Sequence, residues 1–193
     1  MPIAYSLHRR FIQLQVRALV LLGQRQRALG KVDELLDLNA SDPHALATRA
    51  HLLAEMGDKA GAQQNLRRLV AAQPDQPAAW FNLGYLCEEM GQLEEAEAAF
   101  RRATELDPKL DRAWYGLGLS LIRQRRFDDA MEALRKNTEL QPMSPYGWYQ
   151  LARVHVDRQE PDEAAKIIRH LRKFEPKVAA QLERETGLGQ AQA

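Results

Sequence analysis

The sequence of 193 residues has one cysteine, no long apolar run and no excess of either charge. Cys87 by itself cannot form an internal disulfide or supply the ligands of a cysteine-based zinc site. No stretch of about 18 apolar residues occurs, and Arg17 interrupts the apolar part of the N-terminus. Neither a transmembrane helix nor a secretory signal is therefore expected, and we expect a cytoplasmic protein.

The charge balance and the absence of catalytic motifs exclude several functions. Lys plus Arg number 27 and Asp plus Glu number 26, so no long-range attraction to nucleic acid or to an anionic membrane is expected. No phosphate-binding glycine loop, nucleophile elbow or H-E-x-x-H motif is present. His44 and His51 share a helix face, but even with Glu55 they do not make a persuasive metal site. We expect no catalytic residues, no metal and no cofactor.

What the sequence does contain is a period of 34 residues that no insertion or deletion interrupts. Proline, tryptophan and alanine recur at this spacing, at Pro74, Pro108, Pro142 and Pro176, at Trp80, Trp114 and Trp148, and at Ala28, Ala62, Ala96, Ala130 and Ala164. The period divides the chain into five frames, 9–42, 43–76, 77–110, 111–144 and 145–178. The sequence therefore predicts five copies of one structural unit.

Each frame predicts a pair of helices. Apolar residues recur at the helical spacing in two stripes, for example Trp80, Leu83, Gly84 and Cys87, then Ala96, Phe100 and Ala103. Gly91 lies between the stripes and is typical of a left-handed helix stop, while Arg125 and Gln159 hold its place in later frames. Pro108 ends the second helix. Stacking of such hairpins buries faces that one hairpin alone would expose.

The third frame reads AWFNLGYLCEEMGQLEEAEAAFRRATELDP and resembles the tetratricopeptide repeat, with Cys87 in place of the usual tyrosine. The resemblance implies an all-α fold, a right-handed α-solenoid of helix-turn-helix repeats. Residues 177–186 predict an amphipathic capping helix that Gly187 ends. The expected organisation is an N-terminal leader segment at 1–8, a repeat domain at 9–178, and a capping helix with a disordered tail at 179–193. The first frame is the least typical, with Ile12 at the tryptophan position.

In this family the first helices line a concave groove, and the resemblance implies that this groove binds a peptide segment of a partner protein. The protein is accordingly expected to be an adaptor or scaffold. The expected groove residues are His51, Phe81, Asn82, Tyr85, Arg112, Tyr115, Arg123, Tyr146, Tyr149, Gln150 and Arg153. Exposed aromatic side chains are common anchors of binding sites. The alternative interpretation is that the tyrosines pack across adjacent repeats.

Two residues match the carboxylate clamp of this family, and three positions depart from it. Asn82 and Arg112 match, whereas Ala47, His51 and Gly116 stand where the clamp needs other side chains. We expect a peptide groove with some preference for acidic groups rather than a chaperone adaptor.

The alternative function is homo-oligomeric assembly through the apolar first repeat. Leu14, Val20 and Leu21 would pack against a second copy or against the N-terminal segment MPIAYSL.

Overall fold

The computed structural model describes residues 2–188, with side chains from Ser6 onward, and contains eleven helices and no strand in that range. The tail predicted to be disordered lies, from residue 189 on, outside the described residues. The chain forms two compact units that divide between Met90 and Gly91. In the described range no helix is long and apolar enough to cross a membrane.

The first unit contains five helices: α1 (Pro2–Leu21), α2 (Arg25–Leu38), α3 (Pro43–Glu55), α4 (Lys59–Ala72) and α5 (Pro77–Glu89). Within this unit, consecutive helices from α1 to α5 pack against each other. Its core includes one side of α1, at Ile12 and Val16, which meets Val32 and Leu35 of α2 and Leu52 of α3. Asp42 caps α3 by accepting from the backbone N–H groups of its first turn. The short turns and these contacts make hairpins of successive helices.

The second unit contains six helices: α6 (Leu93–Leu106), α7 (Asp111–Arg123), α8 (Phe127–Leu140), α9 (Pro145–Asp157), α10 (Pro161–Leu171) and α11 (Pro176–Thr186). Met131 and Leu134 of α8 meet Leu151 and Val154 of α9 in one core cluster. The last helix, α11, packs on α9 and α10 and buries Leu182. It ends at Gly187, whose φ of 71° is left-handed, as the sequence predicts.

The turn inside each hairpin is left-handed in every frame, whether or not glycine is present. The φ angles are 69°, 86° and 75° at Gly23, Gly57 and Gly91. They are 61° at Arg125 and 62° at Gln159. Residues with a Cβ are destabilised in this conformation. The packing of the hairpin must therefore stabilise it at Arg125 and Gln159.

Each tryptophan ties the start of a first helix to the turn before it. The indole Nε1 donates to a proline carbonyl six residues earlier, at 2.8 Å from Trp80 to Pro74, 3.0 Å from Trp114 to Pro108 and 2.9 Å from Trp148 to Pro142. All three rings are half-buried. The 34-residue period therefore repeats a hydrogen bond as well as an apolar contact.

At both ends the structure departs from the regular frames. The first helix begins at Pro2, so the segment expected to be a separate leader continues α1. The alternative in which the N-terminal segment packs on Leu14, Val20 and Leu21 is wrong for residues 2–7, because these residues continue the same helix. At the other end α10 stops at Leu171, although the period would carry it to residue 174. The cap begins at Pro176, earlier than the boundary at 179.

Candidate peptide-binding surfaces

A recess in the first unit lies between α3 and α5, with α4 beneath it. Its volume is about 220 Å³, and it is lined by Ala47, Ala50, His51, Ala54, Ala62, Leu66, Asn82, Tyr85, Leu86 and Glu89. The recess exists because three of the four α3 residues that line it are alanines, which leave space that larger side chains would fill. Its floor is apolar, since Leu66 and Leu86 are buried there. The structure therefore brings three predicted residues, His51, Asn82 and Tyr85, around one recess.

On the α5 side of the recess, a hydrogen bond and an aromatic contact hold Tyr85 in place. Its hydroxyl donates to Glu89 Oε1 at 2.9 Å, and its ring stacks on Phe81 with centroids 6.5 Å apart. The hydrogen bond raises the pKa of Tyr85, and the bonds from Tyr85 and Lys59 lower the pKa of Glu89. Although 52% of Tyr85 is exposed, its ring is therefore oriented before any partner arrives.

On the α3 side, His51 lies beside an ion pair. Its side chain is 65% exposed, and Nε2 is 3.7 Å from Glu55 Oε1. Arg25 Nε donates to Glu55 Oε2 at 2.7 Å, and this bond lowers the pKa of Glu55. Glu55 and Glu89 each have a cationic partner, because Lys59 Nζ lies 3.2 Å from Glu89 Oε2. The rim is thus polar and balanced in charge.

Asn82, on the rim of the recess, has an amide group that is available for hydrogen bonds to a ligand. It is exposed and makes no hydrogen bond to any residue that the structure describes. A primary amide offers two donors and an acceptor. Asn82 can therefore bond both the N–H and the C=O groups of an extended peptide lying along α5.

In the second unit, two predicted tyrosines take part in packing. Tyr115 is half-buried against the cluster of α8 and α9, and Tyr149 is half-buried against the core beneath α11. These two residues therefore take part in the packing between repeats that the alternative interpretation describes, and part of each side chain remains accessible. Tyr146 differs, since 69% of its surface is exposed.

Tyr149 also belongs to a polar network with the capping helix. Its hydroxyl donates to Glu185 Oε2 at 2.6 Å, and Arg153 Nη1 donates to the same oxygen at 3.1 Å. These bonds lower the pKa of Glu185, the one from Tyr149 first, while the pKa of Tyr149 is raised. Arg153, one of the predicted groove residues, thus has a carboxylate partner within the chain, supplied by α11.

The remaining predicted residues of the second unit lie on α7 and α9. Arg112 and Arg123 are exposed, and Gln150 is half-buried. Gly116 does not provide a groove position, because a Cβ built on it would lie 2.6 Å from Cζ of Phe100. A side chain at Gly116 would displace the Phe100 ring, which explains why the base of a carboxylate clamp is not found there.

Sequence reasoning missed the carboxylates that orient the two tyrosines. Glu89 stands four residues after Tyr85 on the same helix, and residues at that spacing meet. The spacing of Tyr85 and Glu89 in the sequence could therefore have predicted this contact. Glu185 lies 36 residues after Tyr149, and only the packing of α11 on α9 brings it near.

Successive helical hairpins, with exposed polar and aromatic residues on their first helices, define the class of α-helical repeat scaffolds. The model of the tetratricopeptide repeat matches residues 47–111, 88–142 and 115–179, which together extend from residue 47 to residue 179. The chain belongs to the tetratricopeptide repeat family. Comparison with the curated proteins gave no match.

Solved structures of this family share the fold. MamA of Desulfovibrio magneticus RS-1, residues 41 to the end, is 21% identical with a TM-score of 0.78, covering 95% of this chain and 97% of its own. YrrB, described as a TPR protein with an unusual peptide-binding site, is 18% identical with a TM-score of 0.78 and 88% of each chain covered. PilF of Pseudomonas aeruginosa is 18% identical with a TM-score of 0.70, covering 98% and 95%. These similarities confirm the all-α solenoid fold class predicted from the sequence.

Proposed function

We propose that this protein is a non-enzymatic interaction scaffold that binds a peptide segment of a partner protein at the recess between α3 and α5. The observation that carries the proposal is an apolar recess with an open amide, Asn82, and an oriented ring, Tyr85, on its rim. Support also comes from the family, whose members are interaction modules, and from YrrB, which has a peptide-binding site.

The recess would take an apolar side chain of the peptide, while Asn82 holds the peptide backbone on either side of it. Tyr85 adds a flat apolar surface whose orientation is already fixed by Glu89, which lowers the entropy lost on binding. The second unit has exposed residues of its own on α7 and α9, at Arg112, Arg123 and Tyr146, which could contact a peptide independently of the recess. Guanidinium groups there favour acidic groups of the partner.

The test uses a phage-displayed library of random peptides selected on the immobilised protein. A selected peptide is then titrated against wild type and against the double variant Asn82→Ala and Tyr85→Ala. We expect the double variant to bind about tenfold more weakly or worse, because exposed aromatic anchors dominate such interfaces. The melting temperature should stay near that of wild type, since both side chains are exposed.

The matched control is Gln64→Ala, an exposed position of α4 that does not line the recess. It should bind the selected peptides as wild type does. If the double variant also retains full affinity, the recess is not the binding site and the proposal is wrong.

A further inference from the structure

A second apolar surface follows the outer side of α1. Five side chains are spaced by four, three, four and three residues along the helix: Leu7, Phe11, Leu14, Ala18 and Leu21. All five are exposed, although Ile12 and Val16 on the other side of the helix are buried. This spacing is the heptad seam by which two helices pack side by side. We call these five residues the outer stripe.

Two positions of the outer stripe are buried wherever they recur in later frames. Phe11 corresponds to Ala45, Ala79, Ala113 and Gly147, and Ala18 corresponds to Leu52, Leu86, Ser120 and Val154, all of them buried. In the first unit, Ala45 and Leu52 share a core cluster with Val32 and Leu35 of α2. This face of a first helix is therefore the one that the second helix of the preceding frame covers.

A groove runs beside the outer stripe, between α1 and α2. Its volume is about 480 Å³, and Ala18, Leu19 and Gly30 are among its lining residues. Gly30 leaves it open, since a Cβ built there would meet no atom within 4 Å. Because Ala18 belongs to both, the stripe and the groove form one continuous surface.

Cations outnumber carboxylates around this surface, where Glu34 is the one carboxylate that lines the groove and pairs with Lys31 at 2.6 Å. Residues 6–32 contain no aspartate or glutamate. Arg9 and Arg25 pair with Asp42 and Glu55 from later helices. By contrast Arg10 and Arg17, which flank the stripe, and Arg27, which lines the groove, form no ion pair with any residue the structure describes. The surface therefore presents unmatched positive charge at these three arginines, beside the matched pair of Lys31 and Glu34.

We infer that the outer stripe docks an amphipathic helix of a partner protein that carries carboxylates beside its apolar face. Within this chain, α6 shows what such a helix is like, since it covers the equivalent face of α7 with Ala96 and Phe100 buried and with Glu94 and Glu95 in its first turn. A second copy of α1 fits poorly, because antiparallel pairing would oppose Arg10 and Arg17, and like charges across an interface weaken it.

The probe for this inference is a stapled, fluorescent peptide with the sequence of α6, residues 93–106, titrated by anisotropy. Wild type should bind it, and the affinity should fall with added salt. The variant Phe11→Asp with Leu14→Asp should lose about tenfold or more. The variant Arg10→Glu with Arg17→Glu should bind the peptide more weakly, and should prefer a second peptide whose glutamates are replaced by lysine.

The control Gln26→Ala changes an exposed residue of α2 outside the stripe and groove, and it should leave the affinity unchanged. The variant with Asn82→Ala and Tyr85→Ala should also bind the probe normally, which separates this surface from the recess. Three results would overturn the inference: no binding of the probe, dimerisation of wild type that Phe11→Asp abolishes, or binding to phosphatidylglycerol vesicles through the same residues.

Discussion

The left-handed turns show that packing can impose a backbone conformation on a residue that does not favour it. Glycine adopts φ near 70° at little cost, and three of the five hairpin turns use it. Arg125 and Gln159 adopt the same angle without that freedom. The packing of the two helices that each turn joins, α7 with α8 and α9 with α10, offsets this cost.

Replacing Arg125 by glycine should stabilise the protein. Relief of the left-handed strain, less the greater flexibility of glycine in the unfolded chain, amounts to about 0.5–1 kcal/mol. Chemical denaturation of wild type and Arg125→Gly measures the difference. The reverse change, Gly57→Ala, has space for the added Cβ, so it should lose about 1–2 kcal/mol through the backbone alone. Equal stabilities for all three proteins would contradict this account of the turns.

The exposure of each aromatic side chain depends on its position in the 34-residue frame. The fifth position is half-buried in all five frames: Gln13, Ala47, Phe81, Tyr115 and Tyr149. Tyr85, at the ninth position, and Tyr146, at the second, are exposed. The sequence identified every one of these tyrosines as a groove residue. The sequence could not distinguish the exposed tyrosines from the half-buried ones, because the burial of a position depends on how closely neighbouring first helices approach.

At the scale of the helix, the end of the second unit shows how a terminal hairpin is closed. The early end of α10 at Leu171 lets the chain turn so that α11 lies on α9 and α10. Ala179 and Leu182 then close the core cluster that contains Ile168 and Leu171. The polar network of Tyr149 and Glu185 fixes the other edge of the same helix.

Truncating Leu182 to alanine should loosen this cap. The side chain is fully buried, and its loss should cost about 2–5 kcal/mol through a cavity that the terminal helix fills only in part. Thermal unfolding followed by circular dichroism gives the value. The control Lys177→Ala, an exposed residue of the same helix, should change stability by less than about 0.5 kcal/mol. If Leu182→Ala melts with wild type, α11 is not a structural cap.

At the scale of the whole molecule, nearly all contacts between helices join close neighbours along the chain. Within each unit every helix packs on its neighbours in the chain, and α9 has additional contacts with α7 and α11. The free energy of unfolding of such an array is approximately the sum of contributions from each repeat and from the interfaces between adjacent repeats. Damage in one place should therefore stay local.

Hydrogen exchange followed by mass spectrometry tests this locality. Leu134→Ala removes a fully buried side chain shared by α8 and α9. Amide exchange should accelerate across α7, α8 and α9, while the amides of α1 to α4 keep their wild-type rates. Leu52→Ala, in the core of the first unit, should give the reverse pattern. Uniform acceleration throughout the chain in either variant would show global cooperativity instead.

The amino-acid sequence by itself determined the period, the helix pairs, the left-handed turns and the capping helix, because apolar spacing and Gly or Pro stops act over short distances. It also placed His51, Asn82 and Tyr85 on first helices. Only the tertiary structure decided that alanines on α3 leave a recess beside them, that Tyr115 and Tyr149 pack inward, and that Glu185 engages Arg153. Those outcomes depend on how closely separate helices approach, and that distance is set by packing rather than by local propensity.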